Sequence, residues 1–150
     1  MTKLFKLILA TSTLIGPLTA VSANTRGPTA LCQQISPRHA TGYMAKIEIF
    51  RDRIDLLLGT GRIDHQGDGS MALDKGFLER KNLATSQNEA HKAKSSQWKN
   101  SRAFDLKPFG LLYIEEKAFS PDGGGEFKAR LKLPNEQGGS REFILFCSIQ

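Results

Sequence analysis

The chain has 150 residues, a formal net charge of +6 and a hydrophobic fraction of 39%. This length is typical of one domain and is enough for a hydrophobic core without heavy disulfide cross-linking. The chain contains only two cysteines, so no more than one intramolecular disulfide can form.

The N-terminal segment Met1–Ala23 has the pattern of a secretory signal peptide. A basic start is followed by the apolar run Leu7–Leu18 and by the small residues Val21-Ser22-Ala23. The run is shorter than the roughly 20 apolar residues that span a bilayer, so we expect no membrane span in the mature chain. We therefore expect a secreted protein that begins at Asn24 and forms a single domain over residues 24–150.

The two cysteines stand near the two ends of the mature chain, at Cys32 and Cys147. Secretion would place them in an oxidising compartment, where a disulfide between them is expected. Such a bond would close a loop of more than 100 residues, which corresponds to about 4–5 kcal/mol in the chain-entropy model. Two free buried thiols are the alternative. A metal site is disfavoured because no pair of histidines stands at ligand spacing near either cysteine.

A segment early in the mature chain decides the predicted fold class. Large apolar residues recur there at helical spacing, and they are Tyr43, Ile47, Phe50, Ile54 and Leu57. This spacing predicts a helix over residues 43–58, in a helical region that starts at Ser36-Pro37. The alternative is a hairpin that turns at Arg51–Arg53. The sequence favours it less because that turn contains no Gly, Asn or Pro.

The positive charge is concentrated in residues 80–102. This segment has one acidic residue, Glu89, and the basic residues Arg80, Lys81, Lys92, Lys94, Lys99 and Arg102. Within it, Asn82–Ser101 has no large apolar residue after Leu83 except Trp98, which predicts a long surface loop or a frayed helix around Ala90–Lys94. We expect Trp98 to pack this loop against the body of the domain.

The C-terminal third changes to a period of two, which is typical of strands. The predicted strands are Arg102–Leu106, Gly110–Phe119, Phe127–Leu133 and Arg141–Ile149. The last is apolar on both faces, so we expect it at the centre of a sheet. A helix followed by an antiparallel sheet predicts an α+β domain, with the N-terminal helix packed on the sheet and the ends joined by one disulfide.

The residues predict no catalytic group, no metal site and no cofactor. Glu115 and Glu116 are adjacent on a strand and would point to opposite faces, so they cannot act together as acid and base. The loop Asp64–Ser70 resembles a calcium-binding loop only superficially, because Lys75 occupies the position of the bidentate Glu. A nucleophile signature and a phosphate-binding glycine loop are both absent from the sequence.

One predicted strand carries the alternating basic residues Lys128, Arg130 and Lys132. If the helix covers the apolar face of the sheet, this row lies on the open face, where it could contact phosphates. The candidate RNA- or anion-binding residues are therefore Lys128, Arg130 and Lys132, together with Lys92, Lys94 and Lys99. A solvated strand face is the alternative, since no aromatic residue alternates into the row to stack on bases.

The order of these features resembles a known group of proteins. An early cysteine, a helix, a sheet and the ending EFKARLKLPNEQGGSREFILFC resemble the small fungal guanyl-specific ribonucleases. The chain is still more similar to the ribonuclease-like secreted effectors of powdery mildew fungi. This resemblance implies a ribonuclease-like fold whose ends are joined through Cys32 and Cys147. The ribonuclease catalytic pattern is incomplete, since Asp105 stands where a Glu is wanted and Leu111-Leu112 where an Arg is wanted.

The resemblance implies a non-catalytic virulence or avirulence protein that is secreted and translocated into a host cell. It would act as a monomer by binding RNA or a host protein, and host immune receptors would recognise it. A different hypothesis is a bacterial periplasmic or secreted β-rich binding or inhibitor protein. A third is an active ribonuclease that uses Asp105 or Glu115 with His65. A hairpin at Arg51–Arg53 would favour the β-rich hypothesis over the ribonuclease-like one.

Overall fold

The computed structural model describes residues 27–34, 42–63, 71–73, 76–122 and 125–150, with the backbone alone at 62–63 and 71–73. The strands are β1 (Thr29–Gln34), β2 (Gly42–Ile49), β3 (Arg53–Ile63), β4 (Met71–Leu73), β5 (Leu78–Ala84), β6 (Ser101–Asp105), β7 (Leu111–Glu115), β8 (Glu126–Pro134) and β9 (Ser140–Ile149). The helices are α1 (Gln87–Lys94) and a 3₁₀ turn at Glu116–Phe119. The predicted signal peptide, the predicted helix start at Ser36-Pro37 and the loop containing His65 lie outside the described residues.

The strands form one antiparallel sheet that nearly closes on itself. Its order is β4-β3-β2-β1-β9-β8-β7-β6, and β5 also pairs with β3. Thr85, directly after β5, forms a bridge with Phe104 of β6, so the two sides of the sheet meet there. Apart from the short β4, strands that follow each other in the chain are therefore neighbours around a barrel-like ring of eight strands.

The predicted helix over residues 43–58 is wrong, and with it the α+β class with an N-terminal helix on a sheet. The segment is the hairpin β2–β3, in which Ile49 lies opposite Ile54. The turn is closed by the Phe50 N–H, which donates to the Arg53 carbonyl oxygen at 2.9 Å. The Arg53 guanidinium covers the Phe50 ring at 4.2 Å, so side-chain stacking accompanies a turn that has no Gly, Asn or Pro.

The misleading helical spacing arises because the turn interrupts a period of two. Before the turn the inward residues alternate as Ala45, Ile47 and Ile49, and after it as Ile54, Leu56 and Leu58, all of them buried. The helical pattern includes Phe50, which lies at the turn, and it omits Ala45, which is small but points inward. The whole domain is consequently mostly β, and α1 is a short helix on the outside.

The C-terminal third forms strands as predicted, with two differences. The predicted strand Gly110–Phe119 ends at Glu115 and continues as the 3₁₀ turn. β9 is central, between β1 and β8, but it is buried on one face only, because Ile144 and Phe146 are exposed. In the middle of the chain, the predicted loop over residues 82–101 contains the end of β5 and the helix α1.

The interior of the ring is filled by side chains. Its core residues include Leu106, Leu112, Ile114, Leu131 and Leu145, each with no exposed surface. Small residues such as Ala30, Ala45 and Ala129 occupy inward positions beside them, which is how a narrow barrel accommodates its core. A second cluster lies outside the ring, where Ala90 and Ala93 of α1 pack on Ala103 and Tyr113.

The predicted disulfide between Cys32 and Cys147 is confirmed. The two residues are direct partners in the β1–β9 ladder, so the bond joins the first and last strands inside the ring. The pairing of β1 with β9 closes the meander between the two ends of the chain, and the disulfide fixes this closure covalently.

Candidate functional site

One end of the ring has an apolar pocket of about 500 Å³. We call this end the open end and the space the apolar pocket. The residues that line it come from β2, β3, the segment just before β5, β5 itself, β8 and the β6–β7 loop, and they are Tyr43, Leu58, Gly59, Thr60, Gly76, Phe77, Leu78, Pro108, Phe109, Leu133 and Pro134. Among the described residues, no charged side chain lines the pocket, which is the composition expected of a site for an apolar ligand.

The wall of the pocket is continuous with the core, whereas its rim is exposed. Tyr43, Leu78 and Leu133 are half-buried and pack against the core residues. At the rim, Phe77 is 60% exposed and Phe109 is 48% exposed. Two large aromatic side chains are thus exposed beside a concave apolar wall. Burying them against a bound molecule would be favourable, so they indicate a binding surface.

A tight loop holds Phe109 at this rim. The Leu106 N–H donates to the Gly110 carbonyl oxygen at 2.8 Å, and the Phe109 N–H donates to the Leu106 carbonyl oxygen at 3.0 Å. The Lys107–Pro108 peptide bond within the loop is cis. Gly110 has a φ of 139° and lies so close to β8 that a Cβ atom would collide with the Lys132 carbonyl oxygen. Only glycine therefore fits where the loop meets the strand.

Arg80 of β5 lies beside this loop. Its Nη2 donates to the Lys107 carbonyl oxygen at 3.2 Å, and its guanidinium carbon lies 5.8 Å from the centroid of the Phe109 ring. Arg80 therefore places a positive charge beside the rim residue Phe109. The sequence places Arg80 only in a general basic segment, which gives no indication of this position.

The opposite end of the ring, which we call the closed end, is covered by the 3₁₀ turn. Ala118 belongs to the core, and the Phe119 ring stacks on Phe104 with centroids 6.0 Å apart. Arg102 covers Phe119 from outside at 4.1 Å and donates to Glu116, with its Nη2 2.6 Å from Oε1. The hydrogen bond from Arg102 holds the pKa of Glu116 below its ordinary value, more than burial raises it.

The predicted basic row on β8 lies on the outer face, but the structure does not leave it open. Arg130 is buried beneath two aromatic rings, with its guanidinium carbon 4.4 Å from the centroid of Tyr113 and 5.3 Å from that of Trp98. Its Nη1 also lies 3.4 Å from Glu142. Trp98 thus packs its loop onto the sheet as expected, and it does so by covering the central cation of the row.

The other candidate cations differ from Arg130 in exposure and in their partners. Lys128 is exposed, 5.4 Å from the Phe146 ring, and Lys132 is half-buried. Lys92 is paired with Glu89 at 2.7 Å, and this hydrogen bond raises the pKa of Lys92. Lys94 and Lys99 line an open cleft near the closed end. The candidate anion-binding residues thus range from buried and paired, as Arg130 is, to exposed, as Lys128 is.

The acidic candidates are engaged in local structure. Glu115 accepts a hydrogen bond from the Lys128 N–H at 2.9 Å and pairs with Lys117 at 3.3 Å. Burial raises the pKa of Asp105, but hydrogen bonds from Lys107 outweigh it and hold this pKa below its ordinary value. Among the described residues, no three His, Cys, Asp or Glu side chains come together in a way that could hold a metal ion.

No family model, curated protein or solved structure matches this chain. Within the described ranges, no helix is long and apolar enough to cross a bilayer. Function must therefore be argued from the geometry of the chain itself.

Sequence reasoning missed the residues of the apolar pocket. Phe77 stands in a segment without clear periodicity, and Phe109 follows a proline between two predicted strands. The signal that could have identified Phe109 is the sequence Lys107-Pro108-Phe109-Gly110, in which a large aromatic residue occupies a short turn. An aromatic side chain in such a turn is outside the inward-outward alternation of the two strands. It is therefore a candidate for an exposed contact.

Proposed function

We propose that this chain is a secreted, non-catalytic binding protein that takes a small apolar molecule into the apolar pocket. The observation that carries the proposal is the concave apolar wall at the open end, flanked by the exposed rings of Phe77 and Phe109. Its volume of about 500 Å³ lies within the roughly 300–1,000 Å³ range of small-molecule sites.

The size of the pocket favours a molecule over a single side chain of a partner. An apolar cavity of about 150 Å³ is enough to bind benzene. The apolar pocket is roughly three times larger than that, so one phenylalanine or leucine side chain would leave much of it unfilled. The interior of the ring is a weaker candidate, because core side chains such as Leu106, Leu112 and Leu131 are fully buried there.

The β2–β3 hairpin supports the β-rich binding protein over the ribonuclease-like effector. The resemblance to that group depends on an N-terminal helix, and residues 43–58 form two strands instead. RNA, a host protein and an immune receptor remain predicted partners of the effector hypothesis. The covered position of Arg130 gives them no additional support.

The proposal is tested with N-phenyl-1-naphthylamine, an uncharged dye that fluoresces in apolar surroundings. We expect saturable binding to the wild-type protein, about fivefold weaker binding to Phe77→Ala and Phe109→Ala, and no change for Phe146→Ala. Phe146 is the matched control because it is 43% exposed but lies on the outer face of β9, away from the pocket.

The fluorescence of Trp98, which lies outside the pocket, reports whether each variant is folded. If the folded wild-type protein does not bind the dye, the proposal fails. It also fails if the Phe146 variant loses as much affinity as the two pocket variants.

A further inference from the structure

The position of Arg80 in the sheet is unusual for a charged residue. Arg80 is opposite Leu56 in the β3–β5 ladder, and Leu78 is opposite Leu58. Directly opposed residues in an antiparallel pair share a face, and residues two apart on one strand also share it. Arg80 is therefore on the same face as Leu78, Leu56 and Leu58, which is the face that supplies the core and the pocket.

The contacts of Arg80 show where its charge emerges. Its guanidinium reaches the β6–β7 loop, where it donates to the Lys107 carbonyl oxygen and lies over the Phe109 ring. Pro108 and Phe109 of this same loop line the apolar pocket, as does Leu78 on the same face of β5. The positive charge therefore stands at the rim of a pocket whose described lining residues are uncharged.

This charge is not neutralised by the described part of the chain. No carboxylate there lies within 4.0 Å of Arg80, although Arg53, Arg102 and Arg130 each have such a partner. A guanidinium has five N–H donors, and the described contacts of Arg80 use one of them on a neutral carbonyl oxygen. Donors thus remain for an anionic group that arrives with a ligand.

We propose that the ligand of the apolar pocket is an amphiphile with a carboxylate, whose apolar part fills the pocket and whose carboxylate binds Arg80. This inference rests on the proposed function, since it names the chemical class of the molecule that the pocket takes. A planar guanidinium binds a carboxylate through two parallel hydrogen bonds, and its attachment to the loop carbonyl holds it in place. The pocket would then select by charge as well as by apolar volume.

The test compares octanoate with 1-octanol, which share a chain length and differ in charge, as competitors of the same uncharged dye. We expect the wild-type protein to bind octanoate about three- to tenfold more tightly than Arg80→Gln does. The affinity for 1-octanol should be the same in both proteins. Arg80→Lys should keep part of the preference for octanoate over 1-octanol, because an ammonium group has the positive charge but lacks the planar set of donors that binds both carboxylate oxygens.

Lys81→Gln is the matched control, since it removes a neighbouring positive charge that is paired with Glu79 on the other side of β5. It should leave both affinities unchanged. If Arg80→Gln leaves the affinities for octanoate and 1-octanol unchanged, this inference fails while the proposed function stands. The same holds if Lys81→Gln lowers the affinity for octanoate as much as Arg80→Gln does. If neither compound displaces the dye from the wild-type protein, the pocket does not take this class of ligand and this inference also fails. The proposed function fails separately, if the wild-type protein does not bind the dye itself.

Discussion

The two ends of the ring differ in what covers them. At the closed end, the 3₁₀ turn inserts Ala118 and Phe119 into the core, and Arg102 is bound to Glu116 above them. At the open end no comparable element covers Leu78 and Leu133 in the described structure, and the rim has two exposed phenylalanines. Within the described ranges, the same meander therefore uses its aromatic and charged residues for packing at one end, whereas Phe77 and Phe109 are exposed at the other.

This difference indicates which part of a barrel with a packed core is available for binding. The interior is occupied by fully buried core side chains, so we expect binding at a place where the core reaches the surface without being covered. A cation at the closed end is already paired with a carboxylate, whereas Arg80 at the open end is bonded to a backbone carbonyl oxygen. We expect mutations at the two ends to separate binding from stability.

The largest effect should come from Gly110→Ala, which tests whether the β6–β7 loop builds the open end. The added methyl group would collide with the Lys132 carbonyl oxygen at a φ that L-residues rarely adopt. We expect a loss of about 2–3 kcal/mol in the free energy of unfolding, measured by urea denaturation, together with weaker dye binding.

Gly138→Ala is the control for this prediction. Gly138 also has a positive φ, of 79°, but its added Cβ would have no neighbour within 4 Å. The substitution should therefore lower the free energy of unfolding by only about 1 kcal/mol and leave dye binding unchanged. An equal effect of the two substitutions on dye binding would show that the close approach to Lys132 does not shape the pocket.

A smaller effect is expected from Glu116→Gln at the closed end. The pKa of Glu116 is lowered in the folded protein, so the ionised form stabilises the fold above the ordinary pKa of a Glu. This contribution is lost as the pH falls through the lowered pKa. Because both side chains are partly exposed, we expect the substitution to cost less than about 1 kcal/mol at neutral pH.

Urea denaturation between neutral pH and about pH 3 checks this sign, since the wild-type protein should approach the stability of Glu116→Gln as the pH decreases. Dye binding at neutral pH should not change, because Glu116 is at the other end of the ring. A gap in stability that widens in acid would contradict the role given to the Arg102–Glu116 pair.

The sequence predicts the C-terminal sheet and the disulfide well because their signals are local or unique. Phe127, Ala129 and Leu131 alternate without interruption, and two cysteines leave one intramolecular pairing. The β2–β3 hairpin could not be recognised in the same way. Its turn is closed by the hydrogen bond from the Phe50 N–H to the Arg53 carbonyl oxygen, and the Arg53 side chain stacks on Phe50. The turn contains no Gly, Asn or Pro that would have indicated it in the sequence.

The candidate site was harder to predict because it depends on residues that are distant in the chain. Tyr43, Phe77, Phe109 and Leu133 come together only when the ring closes. The basic row on β8 illustrates the reverse error, since Lys128, Arg130 and Lys132 alternate in sequence as a solvent-facing row would. Trp98 and Tyr113, from other parts of the chain, cover the middle residue of that row.

The central claim is that binding occurs at the open end, and a titration of the ¹⁵N-labelled protein with N-phenyl-1-naphthylamine tests it most directly. We expect the amide resonances that shift to be those of the pocket, in particular Leu58–Thr60, Phe77, Leu78, Phe109 and Leu133. The resonances of Lys94, Trp98 and Lys99 near the closed end should stay in place. Shifts centred on the closed end, with the pocket resonances unmoved, would contradict the account.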